Sequence, residues 1–150
     1  MADSTHSDSG TRFANTNVLA DPARAAQLRQ EFSGWLSRYF KLDPIRASDV
    51  VLAVNEALAN AAEFAYSAFD KPGTMHLLAD YEPGTAVLKV TVADEGTWRI
   101  ADGENTNNTR GRGIPLMRAL ADRATIDSSA GGTRVCLEWN HVAPARQPVT

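Results

Sequence analysis

Two side chains able to do chemistry lie four residues apart in the segment from Val50 to Glu63, which reads VVLAVNEALANAAE. They are Glu56 and Asn60, and residues at this spacing share one face of an α-helix. A carboxylate can accept a proton, and an amide oxygen can bind Mg²⁺. The same spacing is also typical of a solvated polar stripe on an amphipathic helix, so the rest of the chain must separate the two interpretations.

Three further patterns place glycine and polar residues at the ends of predicted elements. They are Asp94-x-Gly96 at a strand end, Gly111-x-Gly113 before a helix, and Gly132-Thr133 at the start of the last strand. A carboxylate at a strand end can accept hydrogen bonds from an exocyclic amine, and a neighbouring glycine lets the backbone approach a flat base. Amides at a helix N-terminus attract phosphate. Each pattern alone also fits an ordinary turn or loop.

Two arginines and one threonine add to these patterns. Arg110 and Arg112 flank a glycine, and their guanidinium groups can form charge-assisted hydrogen bonds with phosphate. Thr133 can reach a base directly or through a water molecule. An arginine in a solvated loop and a threonine in an ordinary strand are the alternatives for these positions.

Hydrophobic periodicity predicts the elements that must position these residues. Asp21-Pro22 and Asp43-Pro44 each mark the start of a helix, and residues 97–112 lack periodicity, as expected for a functional loop. The predicted elements in chain order are a strand over 12–19, helices over 22–40 and 45–67, strands over 75–81 and 86–93, the loop, a helix over 115–121, and strands over 123–128 and 133–139.

This order predicts the α+β class, as a two-layer sandwich in which helices cover one face of a mixed, mostly antiparallel sheet. The 150 residues fit a single domain, expected over 12–140. Residues 1–11 are polar and predict a disordered tail, and residues 141–150 contain two prolines and predict a second tail.

Composition excludes several classes of function. The net charge of −3, without a basic cluster beyond the two arginines, argues against nucleic-acid binding. No apolar run reaches the roughly 18 residues of a membrane span, and the start has no signal-peptide core, so we expect a cytoplasmic protein. Cys136 is the only cysteine, which excludes an internal disulfide and a thiolate zinc cluster.

In their order and spacing, the four patterns resemble the N box and the three glycine boxes of the GHKL ATPases, which include DNA gyrase, histidine kinases and MutL. The resemblance covers residues 12–140 and implies a Bergerat-type ATP-binding fold. The chain looks most like the small anti-sigma-factor serine kinases, because it has no length for a transducer domain. None of its histidines, which are His6, His76 and His141, fits a phosphoacceptor on an upstream dimerisation helix.

This resemblance implies ATP and Mg²⁺ as cofactors, with Asn60 as the metal ligand and Glu56 as the base toward a substrate serine. The implied cofactor-binding residues are Asn60, Asp94, Gly96, Arg110, Gly111, Arg112, Gly113, Ile114 and Thr133. The implied partners are a STAS-type anti-sigma factor antagonist, which is the substrate, and a sigma factor, which the protein sequesters. Family members are usually homodimers.

Two positions depart from the family pattern. Trp98 stands where a flexible glycine is often found, and Phe64 stands where family members often have histidine. These departures leave open an alternative function, a non-catalytic GHKL-type interaction module that binds a regulatory partner with or without nucleotide.

Overall fold

A β-sheet forms one of the two layers of the protein, and helices form the other. The computed structural model describes residues 5–63, 65, 73–96, 109–129 and 131–145, with side chains described for residues 9–63, 65, 73–96, 114–129 and 131–145. The strands in chain order are β1 (Thr5–Ser9), β2 (Arg12–Leu19), β3 (Phe40–Lys41), β4 (Thr74–Glu82), β5 (Val87–Asp94), β6 (Arg123–Ser129), β7 (Gly132–Trp139) and β8 (Ala143–Pro144).

The main sheet has the strand order β1-β2-β4-β5-β7-β6, and each pairing described within it is antiparallel. β3 and β8 form a separate antiparallel pair. Along β4 and β7, buried residues alternate with more exposed ones, so a single face of the sheet carries the core. The predicted α+β class and two-layer arrangement are confirmed.

The helices are α1 (Pro22–Tyr39), α2 (Pro44–Glu63) and α3 (Thr109–Leu120). The carboxylate of Asp21 accepts a hydrogen bond from the Arg24 amide at 2.8 Å, and that of Asp43 accepts one from the Arg46 amide at 2.8 Å. Both Asp-Pro pairs therefore begin helices, as the sequence predicts. No helix in the described ranges is both long and apolar enough to cross a bilayer.

The core joins the apolar faces of α1 and α2 to the covered face of the sheet. An aromatic cluster at one end consists of Phe13 on β2 with Phe32 and Trp35 on α1. The ring centroid of Phe32 lies 6.0 Å from that of Phe13 and 5.8 Å from that of Trp35. These contacts fix α1 on the sheet, and α2 packs between α1 and α3.

Both ends of the described chain carry structure where the composition predicts tails. Residues 5–9 pair with β2, and the Trp35 indole N–H donates a hydrogen bond to the Ser9 carbonyl at 2.7 Å. Near the other end, Val142 is fully buried and the Tyr81 hydroxyl donates to its carbonyl at 2.6 Å. Pairing through the backbone needs no apolar side chains, which is why a polar composition did not reveal β1.

Helix α3 begins earlier than the sequence predicts. The expected helix starts with Pro115 at its first position, whereas Pro115 lies inside α3. The prediction relied on the preference of proline for the first helical position, whereas α3 already includes the six residues from Thr109 to Ile114 before it. Gly111 consequently lies in the first turn of α3 rather than before the helix.

Truncating Phe32 should remove the centre of the aromatic cluster. We expect Phe32→Ala to lower the free energy of unfolding by about 3–5 kcal/mol, because the fully buried ring leaves a cavity. Ile45→Ala is the control, since Ile45 is 76% exposed and its truncation should change the free energy by less than about 0.5 kcal/mol. Urea denaturation measures both, and equal effects would contradict this description of the core.

Candidate functional site

Glu56 and Asn60 differ in environment although they share one face of α2. Glu56 is half-buried, whereas Asn60 is buried with only 3% of its surface exposed. The Nδ2 atom of Asn60 has no hydrogen-bond partner among the described residues. Because an unpaired buried amide costs about 1–3 kcal/mol, such an atom fits a residue that binds a ligand. A fully solvated polar stripe is therefore excluded for Asn60.

The Asp94-x-Gly96 pattern forms a tight turn at the end of β5. Asp94 is 5% exposed, and its Oδ1 accepts a hydrogen bond from the Gly96 amide at 2.9 Å. A Cβ atom at position 96 would lie 2.1 Å from the Ala65 carbonyl oxygen, so only glycine fits there. The turn thus holds a buried carboxylate in one orientation and lies against the chain that follows α2.

A short series of backbone contacts connects Asn60 with Asp94. The Ala65 amide donates a hydrogen bond to the Asn60 carbonyl at 3.1 Å, which closes the last turn of α2. The Ala65 carbonyl then lies against Gly96, two residues after Asp94. The polar end of α2 and the acidic turn of β5, separate in sequence, are therefore neighbours in the fold.

Gly132 and Thr133 complete the site from β7. Thr133 lies opposite Asp94 in the β5–β7 register, is 3% exposed, and has its Oγ1 3.0 Å from the Oγ of Ser128. Gly132 adopts a φ of +143°, and a Cβ atom there would lie 2.0 Å from the Asp94 carbonyl oxygen. Both observations make Gly132 a requirement for the close approach of β7 to Asp94.

These residues border a pocket of about 330 Å³, near the lower end of the roughly 300–1,000 Å³ typical of ligand sites. Asp94 and Thr133, two of the predicted site residues, lie in its wall. The described lining residues are Ala93, Asp94, Glu95, Asp127, Ser128, Ser129, Gly131, Gly132, Thr133 and Arg134. Sequence reasoning missed Ser128 and the steric role of Gly132, although the double glycine before β7 was a visible signal of close approach.

Other predicted residues are not placed in this pocket. Ile114 is half-buried and packs against the core. Gly111 and Gly113 lie in α3, and the side chains of Arg110 and Arg112 on the same helix fall outside the described residues, as do Trp98 and Phe64. In the first turn of a helix the amides have no acceptor within the helix, so this end of α3 retains donors suited to phosphate.

The donor set is compatible with a magnesium ion that takes most of its ligands from phosphates and water. Within the described residues, no group of three or more His, Cys, Asp or Glu side chains could hold a metal by itself. Mg²⁺ is commonly bound by one or two protein oxygens together with substrate phosphates. The side-chain oxygen of the buried residue Asn60 suits that limited role, whereas its unpaired Nδ2 is a donor and would contact another group.

The sequence comparison agrees with this geometry. Residues 18–139 match the model of the histidine kinase-like ATPase domain. The chain belongs to this family. The predicted GHKL ATPase family is thereby confirmed, and the match includes the end of α2, the turn at Asp94 and the start of β7.

A solved structure supports the same assignment. The chain is similar to the crystal structure of the RsbU and RsbW domains of Rv1364c from Mycobacterium tuberculosis, with 25% sequence identity and a TM-score of 0.67. The similarity covers 92% of this chain and 34% of that chain, so this histidine kinase-like ATPase spans about a third of the length of its structural relative. The predicted fold is confirmed by this likeness.

Gly131 and Gly132, the two glycines before Thr133, should differ sharply in how well they tolerate replacement by alanine. We expect Gly132→Ala to destabilise the protein by about 2–4 kcal/mol, because a strained φ and a clash with the Asp94 carbonyl act together. Gly131→Ala is the matched control, since a Cβ there meets only the Ser129 hydroxyl at 3.9 Å. Thermal and urea denaturation measure the difference, and a tolerated Gly132→Ala would contradict the close approach of β7 to Asp94.

Proposed function

We propose that this protein is an ATP-dependent anti-sigma factor and serine protein kinase that phosphorylates an anti-sigma factor antagonist. The observation that carries the proposal is the buried Asp94 carboxylate, held by the Gly96 amide opposite Thr133 and next to the helix end that bears Asn60. Membership of an ATPase family supports ATP as the ligand of this site.

In this proposal Asp94 reads the adenine. Its carboxylate is an acceptor, and the exocyclic amine of adenine is a donor, so the pair discriminates adenine from bases with a carbonyl at that position. Thr133, whose hydroxyl lies 3.0 Å from the Ser128 hydroxyl, supplies a second polar contact directly or through water. Burial of both residues strengthens these hydrogen bonds, because water competes less for them.

The polar residues of α2 and the start of α3 act on the phosphates. Asn60 provides a neutral oxygen for Mg²⁺, which when bound neutralises charge on the phosphate oxygens. The first-turn amides of α3, including that of Gly111, and the guanidinium groups of Arg110 and Arg112 are proposed to hold the phosphate chain, with Gly113 in the next turn leaving room for it.

Glu56 is the proposed catalytic base. It lies one helical turn before Asn60 and is only half-buried, so a partner protein can reach its carboxylate. As the serine oxygen bonds to the γ-phosphorus, the serine proton passes to Glu56 and the bond from phosphorus to the ADP oxygen breaks. The substrate we propose is a STAS-type antagonist. A sigma factor is the second partner, and the protein acts as a cytoplasmic homodimer.

One observation favours the second candidate, a non-catalytic interaction module. The Glu56 carboxylate forms no hydrogen bond or ion pair with the described residues, whereas a general base is commonly oriented by a neighbouring group. A module of this kind binds its regulatory partner with or without nucleotide and transfers no phosphate.

Replacement of Glu56 separates the two candidates. With γ-labelled ATP and a cognate antagonist, we expect Glu56→Gln to lower the rate of serine phosphorylation by about 10²–10⁴-fold while leaving ATP affinity nearly unchanged. Glu63→Gln is the control, because Glu63 is an exposed acid at the end of the same helix. Normal transfer by Glu56→Gln would remove Glu56 from the reaction, and absence of transfer by the unmodified protein would favour the module.

Asp94→Asn tests the base contact. We expect this variant to bind Mg-ATP about 10–100-fold more weakly in calorimetric titration, because it loses a hydrogen bond to a charged acceptor. Asp127→Asn is the control, since Asp127 is an exposed acid at the rim of the same pocket and should bind as the unmodified protein does. No heat with the unmodified protein, or equal affinities for both variants, would contradict adenine recognition by Asp94.

A further inference from the structure

Four polar residues meet on the uncovered face of the sheet, behind Asp94. They are Asn17 on β2, Thr74 and His76 on β4, and Glu95 directly after β5. Side chains alternate along a strand, so the Glu95 side chain faces away from the helices, whereas Asp94 is buried beneath them. Glu95 also borders the edge of the pocket. His76 lies between the buried residues Met75 and Leu77 and also faces away from the helices. This group is called the rear cluster below.

Hydrogen bonds in the rear cluster define the state of the His76 ring. The Asn17 amide donates to Nδ1 of His76 at 3.0 Å, so Nδ1 carries a lone pair and the ring proton lies on Nε2. Nε2 lies 2.8 Å from Oε2 of Glu95 and donates to it, and the Thr74 hydroxyl donates to Oε1 of Glu95 at 3.1 Å. Both oxygens of the Glu95 carboxylate are therefore held by β4.

The Asn17 amide is available to His76 because β2 is irregular at this point. The register between β2 and β4 shifts between Asn15 and Val18, and Asn17 has a φ of 60°. Such a bulge turns an amide out of the regular ladder. His76 supplies the acceptor for it, so one imidazole ring connects the bulge of β2 with the residue that follows Asp94.

Two close steric contacts limit how closely the Asp94 turn can approach its neighbours. Gly96 lies against Ala65, and the Cβ position of Gly132 lies 2.9 Å from the Glu95 Cα atom. Steric contacts of this kind stop the turn from moving toward α2 or β7, but they do not stop it from moving away. The hydrogen bonds of the rear cluster hold Glu95 against β4 and therefore oppose movement of the turn away from α2 and β7.

We propose that His76 and Glu95 are positioning residues for the nucleotide site, holding the turn so that the Asp94 carboxylate points into the pocket. This inference rests on the proposed ATP-binding function. The Glu95 side chain is 56% exposed, so its hydrogen bonds add little to global stability, whereas they hold in place the residue next to Asp94. We therefore expect replacements in the rear cluster to reduce the preference for adenine without a matching loss in the free energy of unfolding.

Two replacements of His76 separate its two hydrogen bonds. His76→Asn places an oxygen near the Nδ1 position and keeps an acceptor for Asn17, but it loses the donor to Glu95. His76→Gln places an amide nitrogen near the Nε2 position and keeps the donor to Glu95. Asp80→Asn is the matched control, because it breaks the 3.3 Å ion pair of Arg12 with Asp80 at the far end of β4.

The measurement is the ratio of affinities for Mg-ATP and for purine riboside triphosphate, which lacks the 6-amino group read by Asp94. We expect His76→Asn to reduce the preference for ATP by about 3–10-fold, the effect of one hydrogen bond. His76→Gln and Asp80→Asn should stay within about twofold of the unmodified protein. Thr74→Val removes the other bond to Glu95 and gives a second test if His76→Asn does not fold.

The outcomes distinguish this inference from the function on which it rests. If the unmodified protein binds neither nucleotide, or shows no preference for ATP, the proposed adenine site is wrong and the positioning role falls with it. If the unmodified protein prefers ATP and a folded His76→Asn or Thr74→Val variant keeps that preference in full, only the positioning role is wrong. An equal loss in His76→Asn and Asp80→Asn would also overturn it, because it would reflect general damage to β4.

Discussion

The close approach of three backbone segments around Asp94 is the constraint on which the site depends. The chain after α2, the end of β5 and the start of β7 come within contact distances that leave no room for a Cβ atom at Gly96 or Gly132. Without these two glycines the segments would separate. The chain that follows α2 would then no longer lie against the turn after Asp94. The apolar core holds α2 on the sheet, and the two glycines set how closely the chain after it approaches that turn.

The parts of the site that depend on local chemistry could be predicted from the sequence. An acid two residues before a glycine at a strand end, and an acid and an amide one helical turn apart, are visible without knowledge of the fold. The inward position of Asn60 was not predictable, because a helical wheel shows which residues share a face but not which neighbouring element covers it. The steric role of Gly132 depends on Asp94, 38 residues away in sequence, and on a register that only the fold defines.

In the fold, too, elements that depend on neighbouring residues were predicted from the sequence, whereas β1 and the start of α3 were not. The helix starts at Asp21-Pro22 and Asp43-Pro44 follow from capping and proline geometry, and the strands β4 and β5 follow from the alternation of apolar residues. Two elements differ from the sequence-based prediction. The polar residues of β1 pair through their backbone with β2, and α3 begins six residues before Pro115 rather than at it.

Hydrogen bonds near both ends of the described chain define where each end lies relative to the pocket. Ser9 and Val142 are tied to Trp35 and Tyr81, and Tyr81 lies six residues along β4 from Met75, which pairs with Asp94. At about 3.3 Å per residue, this separation is roughly 20 Å. The chain around Val142 therefore lies at the end of the sheet opposite the pocket, whereas β1 runs back from Ser9 to Thr5, which pairs with Thr16 near the Met75 end of β4. The two chain ends thus lie toward opposite ends of the sheet.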